Sequence, residues 1–344
     1  MEEAAFRSCV TRMFGELWGI PAHSRYWAEP YVPHANPCSM SRADLAALAA
    51  GAPGGYTVAP KSDGERCFLL VGLEDAPDGS ERVFGVLVSR SYHTLRRLPG
   101  MECREYADAA LGRAVCEACY GTLLDGELLP PKAKAGPGSS ERFVVHDAVA
   151  VSGCCMLRER HSARLAAAAR VAATLTCGGL DIQFKQWLPL PRVREALAAA
   201  VWASADGLIF APEHAPLTHG KNRQLFKWKP PSSITLDFIL TPDRRLVYSD
   251  EGREVDAAAA GGFTLLAASL PADLRVPCVV ECACEPGMQL RFVRVRYDKT
   301  TPNDASTVHA TLLNVAENVT EADVVKALDP EEEAEPASKR RCVQ

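Results

Sequence analysis

Lys61-Ser62-Asp63-Gly64-Glu65-Arg66 follows a turn-rich Gly51-Ala52-Pro53-Gly54-Gly55 and a short β-like run from Tyr56 to Pro60. Lys61 in this setting reads as a nucleophile. A lysine attacks phosphorus only as the free amine, and at a reference pKa of about 10.4 fewer than about one in a thousand is neutral at pH 7. Partial burial or a neighbouring cation must disfavour the ammonium form, and Arg66 is such a neighbour. Gly64 lets the backbone turn tightly enough for Lys61 and Arg66 to face one ligand, and Asp63 can hydrogen-bond the turn. Taken alone, Lys-Ser-Asp-Gly is also an ordinary surface turn. The chemical reading needs further elements elsewhere in the chain.

Those elements follow in order: Leu124-Asp125-Gly126-Glu127, Asp206-Gly207-Leu208-Ile209-Phe210, Lys227-Trp228-Lys229-Pro230, and Arg296-Tyr297-Asp298-Lys299 with Pro302-Asn303. Singly, Glu127 and Asp206 read equally well as turn residues beside glycine, and Lys227 and Lys229 as the solvent face of an edge strand. As an ordered set they resemble the covalent nucleotidyltransferases, the superfamily of messenger-RNA capping guanylyltransferases and ATP-dependent polynucleotide ligases. Phe184 to Leu190, Gly220 to Phe238 and Leu312 to Asn318 are similar to the compact capping guanylyltransferases of large DNA viruses infecting algae, and the likeness spans residues 35 to 325. It implies an α+β fold: an antiparallel-sheet nucleotidyltransferase domain of the ATP-grasp-like ligase and capping type, then a C-terminal OB-fold β-barrel. The implied division is 1–236, 237–328 and a disordered charged tail, 329–344, with the active site between the domains.

The resemblance also implies roles. Lys61 would attack GTP, release pyrophosphate and hold GMP as a phosphoramidate, which then passes to 5′-diphosphate RNA. Arg66 and Arg90 would contact the ribose, and Glu127 the ribose or a metal-bound water. Asp206 would be the carboxylate for Mg²⁺ or Mn²⁺, hard ions that neutralise phosphate charge. Lys227 and Lys229, two apart along a strand, share a side and would reach the α-phosphate, while Trp228 between them belongs to the core. Arg296, Asp298 and Lys299 would grip the outer phosphates from the barrel as the cleft closes. Asp237 reads either as a second acidic site residue or as a structural hydrogen-bond acceptor.

Lys185 matches a residue on the guanine edge, where an ammonium would favour O6 of guanine over the amino group of adenine. His146 stands where the family has Tyr or Phe stacking on the base, and imidazole can stack too, with less area. No stretch resembles an RNA triphosphatase, the early Cys9-Val10-Thr11-Arg12 lacking the phosphatase loop spacing, and none resembles a methyltransferase. Separate triphosphatase and cap methyltransferase proteins are the expected partners of a monomeric enzyme. An ATP-dependent ligase working through lysyl-AMP, and a catalytically silent RNA-end-binding subunit, are the competing readings.

Composition agrees. The chain has 344 residues, 47% of them hydrophobic, enough for two cores. Its net charge of −5 argues against a nucleic-acid coat protein. Local basic clusters at 219–229 and 291–299 suit a triphosphate or an RNA end. Thirteen cysteines without an apolar N-terminal signal read as thiols in a reducing compartment. Cys116-x-x-Cys119 and Cys282-x-Cys284 have no second pair at zinc spacing. No apolar run reaches membrane-spanning length. The nucleus or cytoplasm of a host cell is the expected site of action, Lys339-Arg340-Arg341 offering a weak nuclear address.

Apolar periodicity predicts helices at 3–18, 42–50 behind Ser41-x-x-Asp44, 158–173 with Arg158, Arg160, Arg164 and Arg170 on its polar side, 192–203 and 320–328. An extended linker is expected from Pro21 to Pro37. Strands are predicted at 67–73, 83–88, 121–124, 143–151, 207–210, 224–228 and 235–240, with a loop over 130–140.

Overall fold

A computed structural model describes residues 3–28, 32–52, 55–75, 81–89, 95–103, 119–131, 140–202, 205–271, 273–285, 287–297 and 299–329. The fold is organised by the corner that the opening motif makes. Strand Tyr56–Ser62 belongs to a five-stranded sheet ordered 35–39, 220–228, 205–212, 56–62, 188–189. Strand Glu65–Asp75 belongs to a second sheet, whose path runs 180–184, 141–151, 122–129, 65–75, 81–89, 95–98. Asp63-Gly64 alone separates the two strands, so Lys61 closes one sheet and Arg66 opens the other.

Strand Glu65–Asp75 is buried on both faces. Its alternation sends Phe68 and Leu70 into one core and Cys67, Leu69 and Val71 into another. Over the first face lies helix Glu3–Leu17, with Phe14 edge-on to Phe68 at 5.1 Å between centroids. Over the second lies helix His161–Ala172, through Ala167 and Ala168. These helices and the capping-box helix Arg42–Ala49 fall where the periodicity places them.

Several segments differ from expectation: Arg25–Trp27, in the expected extended linker, is a 3-10 turn, and Leu95–Leu98, Leu180–Phe184 and Leu188–Pro189 are strands where none is predicted. Ala35–Ser39, inside the expected linker, is an edge strand paired in parallel with Gly220–Trp228, since its carbonyls find ladder donors there. Ala305–Glu317 is a helix started by Asp304, whose side chain accepts from the Thr307 amide. Cys116, the tail from 330 and most of the 130–140 loop lie outside the described residues, whereas Cys119 is a buried free thiol.

The C-terminal sheet is ordered 253–256, 246–250, 235–240, 278–285, 289–295, 264–265, a curled half-barrel of the OB type. Its core gathers Leu236, Phe238, Leu240, Val280 and Leu290. Helix Glu321–Leu328 does not join that core. Val319, Val324 and Leu328 pack with Leu45, Val193 and Trp228 in the first unit, and the Trp228 indole N–H donates to the Val319 carbonyl at 2.8 Å. Arg42 ties down the return, donating to the carbonyls of Glu317 at 2.7 Å and Asn318 at 3.0 Å.

Every described cysteine is a free thiol. Burial pushes Cys282 up to about 12 and Cys284 to about 11, so the Cys-x-Cys pair is inert.

Candidate active site

The corner opens onto a cleft of about 920 Å³. Lys61, Arg66, Glu127 and His146 line it from the two sheets, Lys185 from the segment after strand Leu180–Phe184, and Lys227 and Lys229 from the end of strand Gly220–Trp228. Lys299 reaches it from beyond the C-terminal sheet. Arg90 and Asp298 lie outside the described residues.

Asp206 stands behind two lysines. Lys61 Nζ donates to its Oδ1 at 2.9 Å, and Lys229 Nζ reaches Oδ2 at 2.5 Å. Burial alone would raise the Asp206 pKa, but Lys61 and Lys229 hold it below the usual carboxylate value. Asp206 sits where strand Ala205–Pro212 is irregular, between Ala205 and Leu208. Gly207 is needed at that irregularity: a Cβ there would lie 2.0 Å from the Trp228 carbonyl oxygen.

Gly64 is also required, for a reason the sequence does not suggest. It is not among the positive-φ glycines, but its Cβ would lie 2.5 Å from the Leu128 carbonyl oxygen. Closeness to the strand Thr122–Leu129 lets the Gly64 amide donate to Glu127 Oε1 at 3.1 Å.

Lys185 straddles the nucleophile's strand, with Nζ donating to the Pro60 carbonyl at 2.7 Å and to Ser62 Oγ at 2.8 Å. Burial pushes its pKa down to about 8, with Glu127 opposing the shift and Lys61 adding to it. The ammonium expected on a guanine edge thus rests on a backbone carbonyl and a side-chain hydroxyl either side of Lys61.

Arg66 forks onto Asp125, Nε to Oδ1 at 3.0 Å and NH2 to Oδ2 at 2.6 Å, and its NH1 donates to the Ala35 carbonyl at 2.7 Å. His146 Nε2 lies 3.1 Å from the same Oδ1. Burial of Asp125 by itself favours the acid, yet Arg66 and His146 hold the carboxyl well below its usual range.

Arg296 and Lys299 both pair with Asp237, Arg296 NH1 at 3.0 Å from each oxygen. Asp237 is therefore a structural acceptor. Arg291 and Arg294 are paired too, with Glu285 at 2.8 Å and Glu281 at 2.6 Å, so the second basic cluster is largely neutralised by the neighbouring strand.

A cluster along the cleft wall, with Asp147, His161 and Trp187 in its lining, was not legible from sequence. Arg164, expected on a polar helix face, is only 3% exposed and forks onto Asp147 at 2.6 and 2.8 Å. His161 Nε2 donates to the His146 carbonyl at 3.1 Å, and its ring meets Trp187 edge-on at 4.7 Å. The signal that could have found this cluster is two polar residues, His161 and Arg164, spaced i, i+3 on an Ala-rich helix.

No group of three or more His, Cys, Asp or Glu side chains that could hold a metal occurs among the described residues.

Residues 20–231 match the family model for the mRNA capping enzyme catalytic domain and residues 263–325 that for its C-terminal domain. The chain is similar to the mRNA-capping enzyme subunit alpha of Schizosaccharomyces pombe, 25% identical over 86% of this chain and 79% of that protein. It is likewise similar to the Neurospora crassa subunit alpha, 23% identical over 86% and 84%. The Danio rerio mRNA-capping enzyme matches at 24% over 88% of this chain, which spans 50% of that protein. Among solved structures, a mycobacterial DNA ligase D complexed with ATP aligns with a TM-score of 0.44 at 15% identity, over 78% of this chain and 96% of the other. With its catalytic-domain match spanning both sheets and the Lys61 corner, the chain is a nucleotidyltransferase that belongs to the mRNA capping enzyme family.

Proposed function

We propose that the chain is an mRNA guanylyltransferase that carries GMP on Lys61. The observation supporting this most directly is the convergence of Lys61, Lys185, Lys227, Lys229 and Lys299 with Arg66 on one cleft, a charge set made for a nucleoside triphosphate. Lys61 Nζ, released from Asp206, forms a bond to the α-phosphorus of GTP. The α–β phosphoanhydride bond breaks, pyrophosphate takes the electron pair, and the amine loses its proton. A terminal phosphate oxygen of 5′-diphosphate RNA then attacks the same phosphorus, the P–N bond breaks, and lysine is regenerated. Lys227 and Lys229 neutralise the α-phosphate, Arg66 and Glu127 hold the ribose side, and Lys185 turns to the base once it leaves the Pro60 carbonyl and Ser62 Oγ.

Arg296 and Lys299 serve the outer phosphates once Asp237 yields them. Asp206 would hold Mg²⁺ or Mn²⁺ after parting from Lys61 and Lys229, with Glu127 across the cleft, and the ion would supply charge neutralisation. The same reading divides the chain near residue 236, with helix Glu321–Leu328 counted in the first unit. It assigns the triphosphatase and methyltransferase steps to other polypeptides, in a viral setting within the nucleus or cytoplasm.

The test is label transfer from α-labelled GTP or ATP to the purified chain with Mg²⁺ or Mn²⁺, with Lys61→Ala as control. A GMP adduct stable to alkali, labile to acid and missing in the variant is the expected result. An AMP adduct would make the chain a ligase, and no adduct with either nucleotide a binding module.

A further inference from the structure

His146 occupies a position where base stacking would be the expected task, yet its polar edge is already engaged. Nε2 lies 3.1 Å from Asp125 Oδ1, the oxygen that also receives Arg66 Nε at 3.0 Å. Asp125 is 1% exposed, so water cannot take the place of a missing donor. The carboxyl is ionised and only accepts, which puts the proton on Nε2 of the ring.

The imidazole is held from behind as well. Its own carbonyl receives His161 Nε2, and the next residue, Asp147, is clamped by Arg164. A phenyl ring at 146 would offer more stacking area but would leave Asp125 Oδ1 with one donor fewer.

We propose that His146 is a positioning residue that acts through Asp125 to fix the guanidinium of Arg66 in the cleft. The chain of contacts runs from His161 through His146 and Asp125 to Arg66, and Arg66 is the one that meets nucleotide. This assignment rests on the guanylyltransferase reading for its kinetic consequence, but the contact itself does not.

Two replacements separate positioning from stacking. His146→Phe keeps an aromatic face and removes the donor. His146→Gln keeps a donor near the Nε2 position and removes the ring. If His146 positions Arg66, the Phe variant forms the GMP adduct about tenfold more slowly at saturating GTP with KM changed by less than about twofold, and the Gln variant recovers most of the rate. In an Arg66→Lys background the Phe change should then add less than about a twofold loss. A Phe variant at wild-type rate, a Gln variant as slow as Phe, or full multiplication of the two losses in the double variant would overturn the proposal.

Nitrogen chemical shifts of the wild-type imidazole give a measurement that needs no variant to fold. An Nε2–H tautomer with a hydrogen-bonded proton is expected, and an Nδ1–H tautomer would overturn the assignment. A wild-type chain that forms no GMP adduct would retire the guanylyltransferase reading, leaving these shifts to decide the His146–Asp125 contact.

Discussion

Arg164 and Lys185 carry the strongest consequences at the residue scale, because each buries a charge. Arg164→Met leaves the Asp147 carboxylate buried without its fork, and loss of one partner from such a pair costs about 3–5 kcal/mol. Urea denaturation should show a lower midpoint with an unchanged slope. Lys185 is ionised less readily in the fold than its ordinary value of 10.5, at about 8. Between those pH values the unfolded chain binds the extra proton, so the burial penalty is full below pH 8 and fades as pH approaches 10.5. Melting temperatures of wild type and Lys185→Met should reflect this, the wild type gaining on the variant between pH 7 and pH 9.5. Lys61, Glu127, Lys227 and Lys229 were legible in sequence because each sits inside a short motif whose spacing the backbone preserves. Arg164 was not, since an arginine on an Ala-rich helix shows its carboxylate partner only after the helix has docked.

For the elements, runs of apolar residues located the long strands of the first unit but not Leu95–Leu98, Leu180–Phe184 or Leu188–Pro189, nor which sheet each strand joins. Tyr56–Ser62 and Glu65–Asp75 are sequence neighbours in different sheets, and their partners lie as far away as residues 205–212. Pairing over that distance leaves no local signature. Nor does the parallel edge strand Ala35–Ser39, whose Pro37 reads locally as linker. The irregularity at Asp206-Gly207 makes a sharp prediction. Gly207→Ala drives a methyl into the Trp228 carbonyl, and the strands must part by about an ångström or more. Overpacking of this kind costs about 1–3 kcal/mol. Because the displaced strand carries Asp206 and its neighbour leads to Lys229, adduct formation should fall by more than the melting temperature alone explains. Ala substituted at Gly252, where the Cβ meets nothing within 4 Å but a φ of +81° strains any side chain, loses stability through the backbone alone and is the comparison without effect on the cleft.

For the whole molecule, the chain crosses between units twice, leaving after Trp228 and returning through Asn318 to helix Glu321–Leu328. Val324 is fully buried in the first unit's core, so Val324→Asp should lower the thermal midpoint of that unit and weaken adduct formation together. Removing residues 330–344, the charged tail expected from sequence, should do neither. The return has a consequence for synthesis. A ribosome adding about 5–20 residues per second completes strand Gly220–Trp228 several seconds before residues 319–328 emerge. During that interval the pocket awaiting Val319, Val324 and Leu328 stays open, so the nascent chain carries an apolar patch that a chaperone would have to shield until helix Glu321–Leu328 is made.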